Sequence, residues 1–184
     1  MRIDSPRLAL AAMALALLSL APVAAQEGSR MTGLKLDGDQ PIQIESDQLE
    51  VREADSVAVF TGNVSVVQGP TLMRSGKMTV FYANNGGSAT TGSADIDRLE
   101  VEGKVYVRSQ NQVATGERGS FDMKTETLVL TGSEVVLSEG DNVVVGCKLT
   151  VRMATGQAQL DGCGGTSTGG GRVRMLLKPG SQDR

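Results

Sequence analysis

The sequence predicts an all-β fold, a β-jelly roll or a related two-sheet sandwich built from short, repeated antiparallel strands. Three observations predict it. A phrase ending in glycine recurs along the chain, as Val57-Ala-Val-Phe-Thr-Gly62, Arg98-Leu-Glu-Val-Glu-Gly103, Thr127-Leu-Val-Leu-Thr-Gly132 and Gln157-Ala-Gln-Leu-Asp-Gly162. Its spacing of roughly 30 to 40 residues marks a repeat architecture. Within each repeat, apolar residues alternate with polar or small ones at period two, as in a strand with one buried face. Beyond the N-terminal leader no stretch carries a 3.6-residue apolar stripe with caps, so helices should be minor. Short strands that each bury one row of side chains need a facing sheet to close over them. A one-layer β-solenoid is the competing arrangement, and the unequal repeat lengths count against it.

In chain order, Arg2 and Arg7 precede an apolar run from Leu8 to Ala21 and then Val23-Ala24-Ala25, the pattern of a secretory signal peptide over residues 1–25. The run is shorter than the roughly 20 residues that span a bilayer. An uncleaved membrane anchor is the alternative. Residues 26–38 read as a lead, 39–178 as the β domain and 179–184 as a tail. The first strand is expected from Pro41 to Asp47. Each recurring phrase then reads as a strand, its closing glycine as a turn, and the run after the first three (Val64-Ser-Val, Val105-Tyr-Val, Val135-Val-Leu) as a second strand. A further glycine (Gly76, Gly116, Gly146) leads to a third run: Met78 to Tyr82, Ser120 to Met123 and Leu149 to Met153. Asn84 to Ser93 reads as a loop inserted into the array. Gly162 to Gly171 is too glycine-rich for a buried position and reads as a flexible loop. Arg172 to Lys178 is the last strand.

Composition narrows the function. The chain has no Trp, two Tyr and three Phe, so its core must be aliphatic, and stacking on bases or sugars is poorly supported. A net charge of -3 argues against nucleic acid as a partner. With no His, a nucleophile–base pair or a metal cluster is hard to assemble, and no cofactor is expected. Gly165-Thr-Ser-Thr-Gly169 fits GxSxG formally, but a nucleophile elbow needs a strand, a helix and a histidine around it. Gly69 and Gly76-Lys77 are too far apart for a phosphate loop, and Met78 follows where Ser or Thr belongs. Asn63-Val-Ser65 matches the glycosylation acceptor pattern by chance. The carboxylates Glu100 and Glu102 alternate on the face opposite Leu99 and Val101, as on a solvated face. Cys147 and Cys163 would close a loop of about 17 residues and contribute about 3 kcal/mol if paired in an oxidising compartment. Two free thiols in separate strands are the alternative.

The opening segment Gln40-Pro-Ile-Gln-Ile-Glu-Ser-Asp-Gln48, followed by Phe60-Thr-Gly-Asn-Val-Ser-Val-Val-Gln-Gly69, resembles that of the OstA-like family of periplasmic lipopolysaccharide-transport proteins. Leu128-Val-Leu-Thr-Gly132 and Gly171-Arg-Val-Arg174 fit the same family, so the resemblance runs from about Asp39 to Lys178. It implies a twisted β-jelly roll with open ends in the periplasm, with no enzymatic activity. It also implies that the lipid A acyl chains of lipopolysaccharide lie in an aliphatic groove. Copies would join head to tail between inner-membrane LptC-like and outer-membrane LptD-like β-jelly-roll domains, and a partner ATPase would supply the energy. Sheltering is worth the trouble: a 14-carbon chain left in water costs about 11 kcal/mol at about 0.8 per methylene. The family's acyl-contacting positions carry over to Ile42 and Ile44, more loosely to Val51, and by counting back from Gly132 to Phe121 and Met123, with Val107 a further candidate. Ordinary core packing is the competing role for all six. The two terminal strands are candidates to extend a neighbour's sheets, against simple pairing within one molecule. Arg74, Lys77, Arg108, Arg118 and Lys124 are candidates to meet lipid phosphates at a rim. Cys147 and Cys163 and the Gly/Ser-rich insertion depart from the family pattern. Two other readings remain: a periplasmic β-repeat protein without lipid cargo, and an LptC-like component that keeps its N-terminal segment in the membrane.

Overall fold

The computed structural model describes residues 40–83, 95–164 and 171–178. The leader, the lead over 26–38, the whole Gly/Ser-rich insertion, the GxSxG pattern and the tail lie outside the described residues. The chain runs β1 (Gln43–Glu45), β2 (Gln48–Arg52), a 3-10 turn (Glu53–Asp55), β3 (Val57–Gln68), β4 (Thr71–Tyr82), β5 (Ile96–Ser109), β6 (Gln112–Asp122), β7 (Thr127–Glu139), β8 (Asn142–Arg152), β9 (Gln157–Asp161) and β10 (Arg174–Leu176). All pairings are antiparallel, and from β3 to β8 each strand pairs with the next in the chain. β1 and β2 both pair with β3, and β9 and β10 both pair with β8.

That double pairing follows from the glycines. Gly62, Gly76, Gly103, Gly116, Gly132 and Gly146 are not the turns expected of them; each lies inside one continuous strand of 11 to 14 residues. The register shifts beside them, between Thr61 and Val64, Arg74 and Lys77, Glu102 and Val105, Thr115 and Arg118, and Thr131 and Val135. These are β-bulges, where an extra residue on one strand kinks the ladder. Gly62 and Gly103 reach φ of +80° and +83°, and Asn63 and Lys104 after them are also left-handed, a backbone that glycine adopts most cheaply.

The bends line up from strand to strand, so the sheet folds along them into two layers. β4 shows how one strand serves both: its buried residues are Thr71, Met73 and Ser75 before the bend, then Met78 and Val80 after it. The bulge resets the phase, and both arms present their apolar side to the same interior. Each long strand gives one arm to each layer. The first layer holds β2, the arms 57–61, 77–82, 96–102, 118–122, 127–131 and 148–152, and β9; the second holds β1, the complementary arms and β10. No helix covers this sheet among the described residues, yet Met78, Leu130, Val135 and Leu149 are at 0% exposure in a single aliphatic cluster drawn from both arms. Only facing layers can bury them so. Among the described residues the sheet order starts at β1 and ends at β10 without closing, so both edges are open there.

Candidate functional site

The interior is organised as rows that cross the strands. In the first layer one row reads Val51, Ala58, Val80, Leu99, Phe121, Leu128, Val151, Ala158, each residue opposite the next. The row beside it reads Leu49, Phe60, Met78, Val101, Gly119, Leu130, Leu149, Leu160. In the second layer a row runs Ile44, Val66, Met73, Val107, Ala114, Leu137, Val144, Met175. None contains a polar side chain. Each passes from one open edge to the other, roughly 34 Å at about 4.8 Å per strand.

The six candidate positions fall on or beside these rows. Val51 and Phe121 share the first row, Ile44 and Val107 share the third, and Ile42 and Met123 lie one step farther out on β1's lead-in and after β6. Val107 and Phe121 belong to the buried cluster, while Ile42, Ile44, Val51 and Met123 are half-buried against it. They face one interior from two layers and do not form one compact pocket. Sequence reasoning missed Leu49, Leu160 and Met175, which end the rows, and Phe60, which stands next to Leu49. Their period-two spacing was visible, but the register that aligns them depends on the bulges.

At both edges the apolar rows emerge. Leu49 is 53% exposed and Met175 57%, and Val173 and Leu177, of the same parity as Met175, are exposed too. Cys147 and Cys163 are joined in a disulfide with their Cα atoms 4.9 Å apart. It ties the bend of β8 to the segment after β9, where the chain crosses from the first layer to the second.

Charge lies outside. Ser133 donates its amide N–H (3.1 Å) and its hydroxyl to the Glu117 carboxylate at the bend, and these bonds hold Glu117 below the usual carboxylate range. The Thr125 N–H and hydroxyl do the same for Asp122 in the turn after β6. Burial pushes the Tyr82 hydroxyl up. The basic candidates do not gather: Arg74, Lys77 and Arg118 lie along the bend, Arg108 on the outer face of β5, and Lys124 in the turn after β6. Glu100 and Glu102 face away from Leu99 and Val101. Asn63 donates to the Asp47 carboxylate across 2.9 Å, and Gly76-Lys77 lies mid-strand. Among the described residues no group of His, Cys, Asp and Glu is placed to hold a metal.

A family model described as LptA/(LptD N-terminal domain) LPS transport protein matches residues 43–157. The chain belongs to that family. Its relatives in the LPS transport family include the lipopolysaccharide export system protein LptA of Escherichia coli K12, 31% identical over 78% of this chain and 74% of that protein. An uncharacterised protein of Rhizobium meliloti is 53% identical over 97% of this chain and 92% of its own length. Among solved structures, LptH from Pseudomonas aeruginosa is described as the LptA-homologous periplasmic component of a lipopolysaccharide transport device. It superimposes with a TM-score of 0.63 at 21% identity, over 78% of this chain and 99% of LptH. The fold is thus the LptA-like β-jelly roll, and the family is one of transport proteins, not enzymes.

Proposed function

We propose that this chain is a periplasmic carrier that shelters the acyl chains of lipopolysaccharide along its interior rows and passes them through copies joined head to tail. The observation that carries the reading is the emergence of the apolar rows at both open edges, marked by exposed Leu49 and Met175. A sealed core would end its rows under polar caps. Among the described residues, β1 and β2 at one edge and β9 and β10 at the other have one side without a strand partner, the requirement for strand addition. A head-to-tail contact that does not close on itself generates a filament. Membership in a family that also contains the LptD N-terminal domain supports jelly-roll partners at the two membranes, LptC-like at the inner and LptD-like at the outer. The apolar leader over residues 1–25 and the periplasmic description of LptH support export, with the mature chain starting at Gln26.

Ile42, Ile44, Val51, Val107, Phe121 and Met123 are the acyl contacts of this reading. A photo-crosslinking side chain at Ile44 or Phe121 is expected to capture lipopolysaccharide in cells, and one at outward-facing Glu100 is not. Capture only from the outer face sinks the proposal. Full burial of Met78, Leu130 and Leu149 favours a second reading, a β-repeat protein with a permanently closed interior. Protein purified without detectable lipid by mass spectrometry, and monomeric at all concentrations in sedimentation, would support it. An anchored LptC-like component is separated by N-terminal sequencing, since it keeps residues 1–25.

A further inference from the structure

Next to the apolar row of the second layer runs a row of another kind. Gln68, Thr71, Ser109, Gln112, Glu139 and Asn142 stand opposite one another in unbroken register and share the inward parity of Val66, Met73, Val107, Ala114, Leu137 and Val144. They flank the hairpin turns that form the free lip of this layer. Turn-flanking residues are polar for local reasons and are normally exposed. Here Gln68, Thr71, Ser109 and Gln112 are 1 to 3% exposed. Thr71 donates its hydroxyl to Ser109 across 3.0 Å, and Gln68 donates to the Gln40 carbonyl. Glu139 accepts from Asn111, and Asn142 from the Lys178 amide. The opposite lip is apolar, made by Tyr82, Ile96, Met123 and Met153, all packed against the core.

The two lips of one mouth therefore differ in chemistry. Polar groups buried beside an aliphatic interior must be hydrogen-bonded to be tolerated there, a demand that Val or Leu would not make. The row also runs parallel to the apolar rows, along the path a passing lipid would follow. Resting on the carrier reading, we propose that this row is a rail for the polar end of the carried amphiphile. Its hydroxyl, amide and carboxylate groups take hydrogen bonds from sugar hydroxyls and amide-linked hydroxyacyl groups, while the tails lie on the apolar rows. Equivalent partners recur at every strand, about 4.8 Å apart, so the polar end exchanges one for the next as it moves.

The test uses the full mature protein and two probes of equal tail length, N-(3-hydroxytetradecanoyl)glucosamine and tetradecanoic acid, each competing with a fluorescent fatty acid. Thr71→Val with Ser109→Ala removes both partners of one buried hydrogen bond at near-constant shape, which folded proteins tolerate. Ser109→Ala alone, which takes this acceptor from the Thr71 hydroxyl, is the second variant should the pair fail to fold. Wild type is expected to prefer the sugar-bearing probe, and the variants to lose roughly tenfold of that preference, the equivalent of one buried hydrogen bond, with fatty-acid binding retained. Equal weakening of both probes, or an unchanged ratio, overturns the rail while leaving the carrier reading intact. Wild type that binds neither probe overturns the carrier reading and the rail with it.

Discussion

At the residue scale the interior depends on side chains that are small for a reason. Gly119 stands in the second apolar row between Val101 and Leu130, and a Cβ built there would lie 2.7 Å from Leu130 Cδ2 and 3.0 Å from Val101 Cγ2. Leu130 has no exposed surface into which to retreat. Gly119→Val is therefore expected to cost about 1–3 kcal/mol by overpacking, read as a lower urea midpoint at unchanged slope. Charge at the rim works through pH. Asp122 titrates below its ordinary value in the folded chain because Thr125 bonds its charged form, so its contribution is present above the unfolded carboxylate pKa and is lost as pH falls through the folded one. Asp122→Ala should lower the melting temperature at neutral pH, and the gap to wild type should close in acid. A gap that is constant with pH would show that Asp122 acts by shape alone. The rail residues were in plain view in the sequence as Gln68, Thr71, Ser109 and Gln112. Nothing marked them, because a polar residue beside Gly69-Pro70 or Gln110-Asn111 reads as ordinary turn chemistry. Their burial is a property of the doubled sheet.

At the element scale the strands were legible and their continuity was not. Period-two alternation and the recurring phrase identify where strands lie, since each arm buries one face whatever happens at its end. A glycine that ends a strand and one that bends it carry the same local signal, and the difference is decided by the neighbour's register across the sheet. Hence six glycines expected as turns are bulges, and pairs of short strands are single long ones. The disulfide is the device peculiar to the C-terminal element. It pins the crossover before β10 to the bend of β8, 16 residues away in sequence. β10 is only three residues long, and its other ties include its pairing with β8 and the bonds of Lys178 to Asn142 and Asp141. Cys147→Ser with Cys163→Ser is expected to destabilise by about 2–4 kcal/mol, mostly through the freed unfolded chain, and to speed amide hydrogen exchange across β10 before β3 to β7 respond. Uniform exchange over the whole sheet would contradict that local role.

At the scale of the whole molecule, the described residues make eight arms per layer with unclosed edges, and the arms at the two ends lack a neighbour on one side. Leu49 at one end and Met175 at the other are the apolar residues that such a neighbour would cover. Leu49→Glu or Met175→Glu should leave the melting temperature nearly unchanged, because each side chain is more than half exposed, and should abolish concentration-dependent assembly in sedimentation velocity. An assembly that survives both changes would have to use another surface. The fold class was legible at this scale, and so was the aliphatic character of the interior, because both depend on pattern and composition. The division of that interior into rows was not, since it exists only once five register shifts fall into line.

Those rows advance by the strand-to-strand repeat. If copies join by pairing β1 and β2 of one with β9 and β10 of the next, the step across the joint equals the step within each copy. A travelling chain would then meet a lattice of one period, with no seam at which to stall. Transit time would grow with total distance and carry no surcharge for each boundary, and a wider gap would be spanned by adding copies without slowing each step.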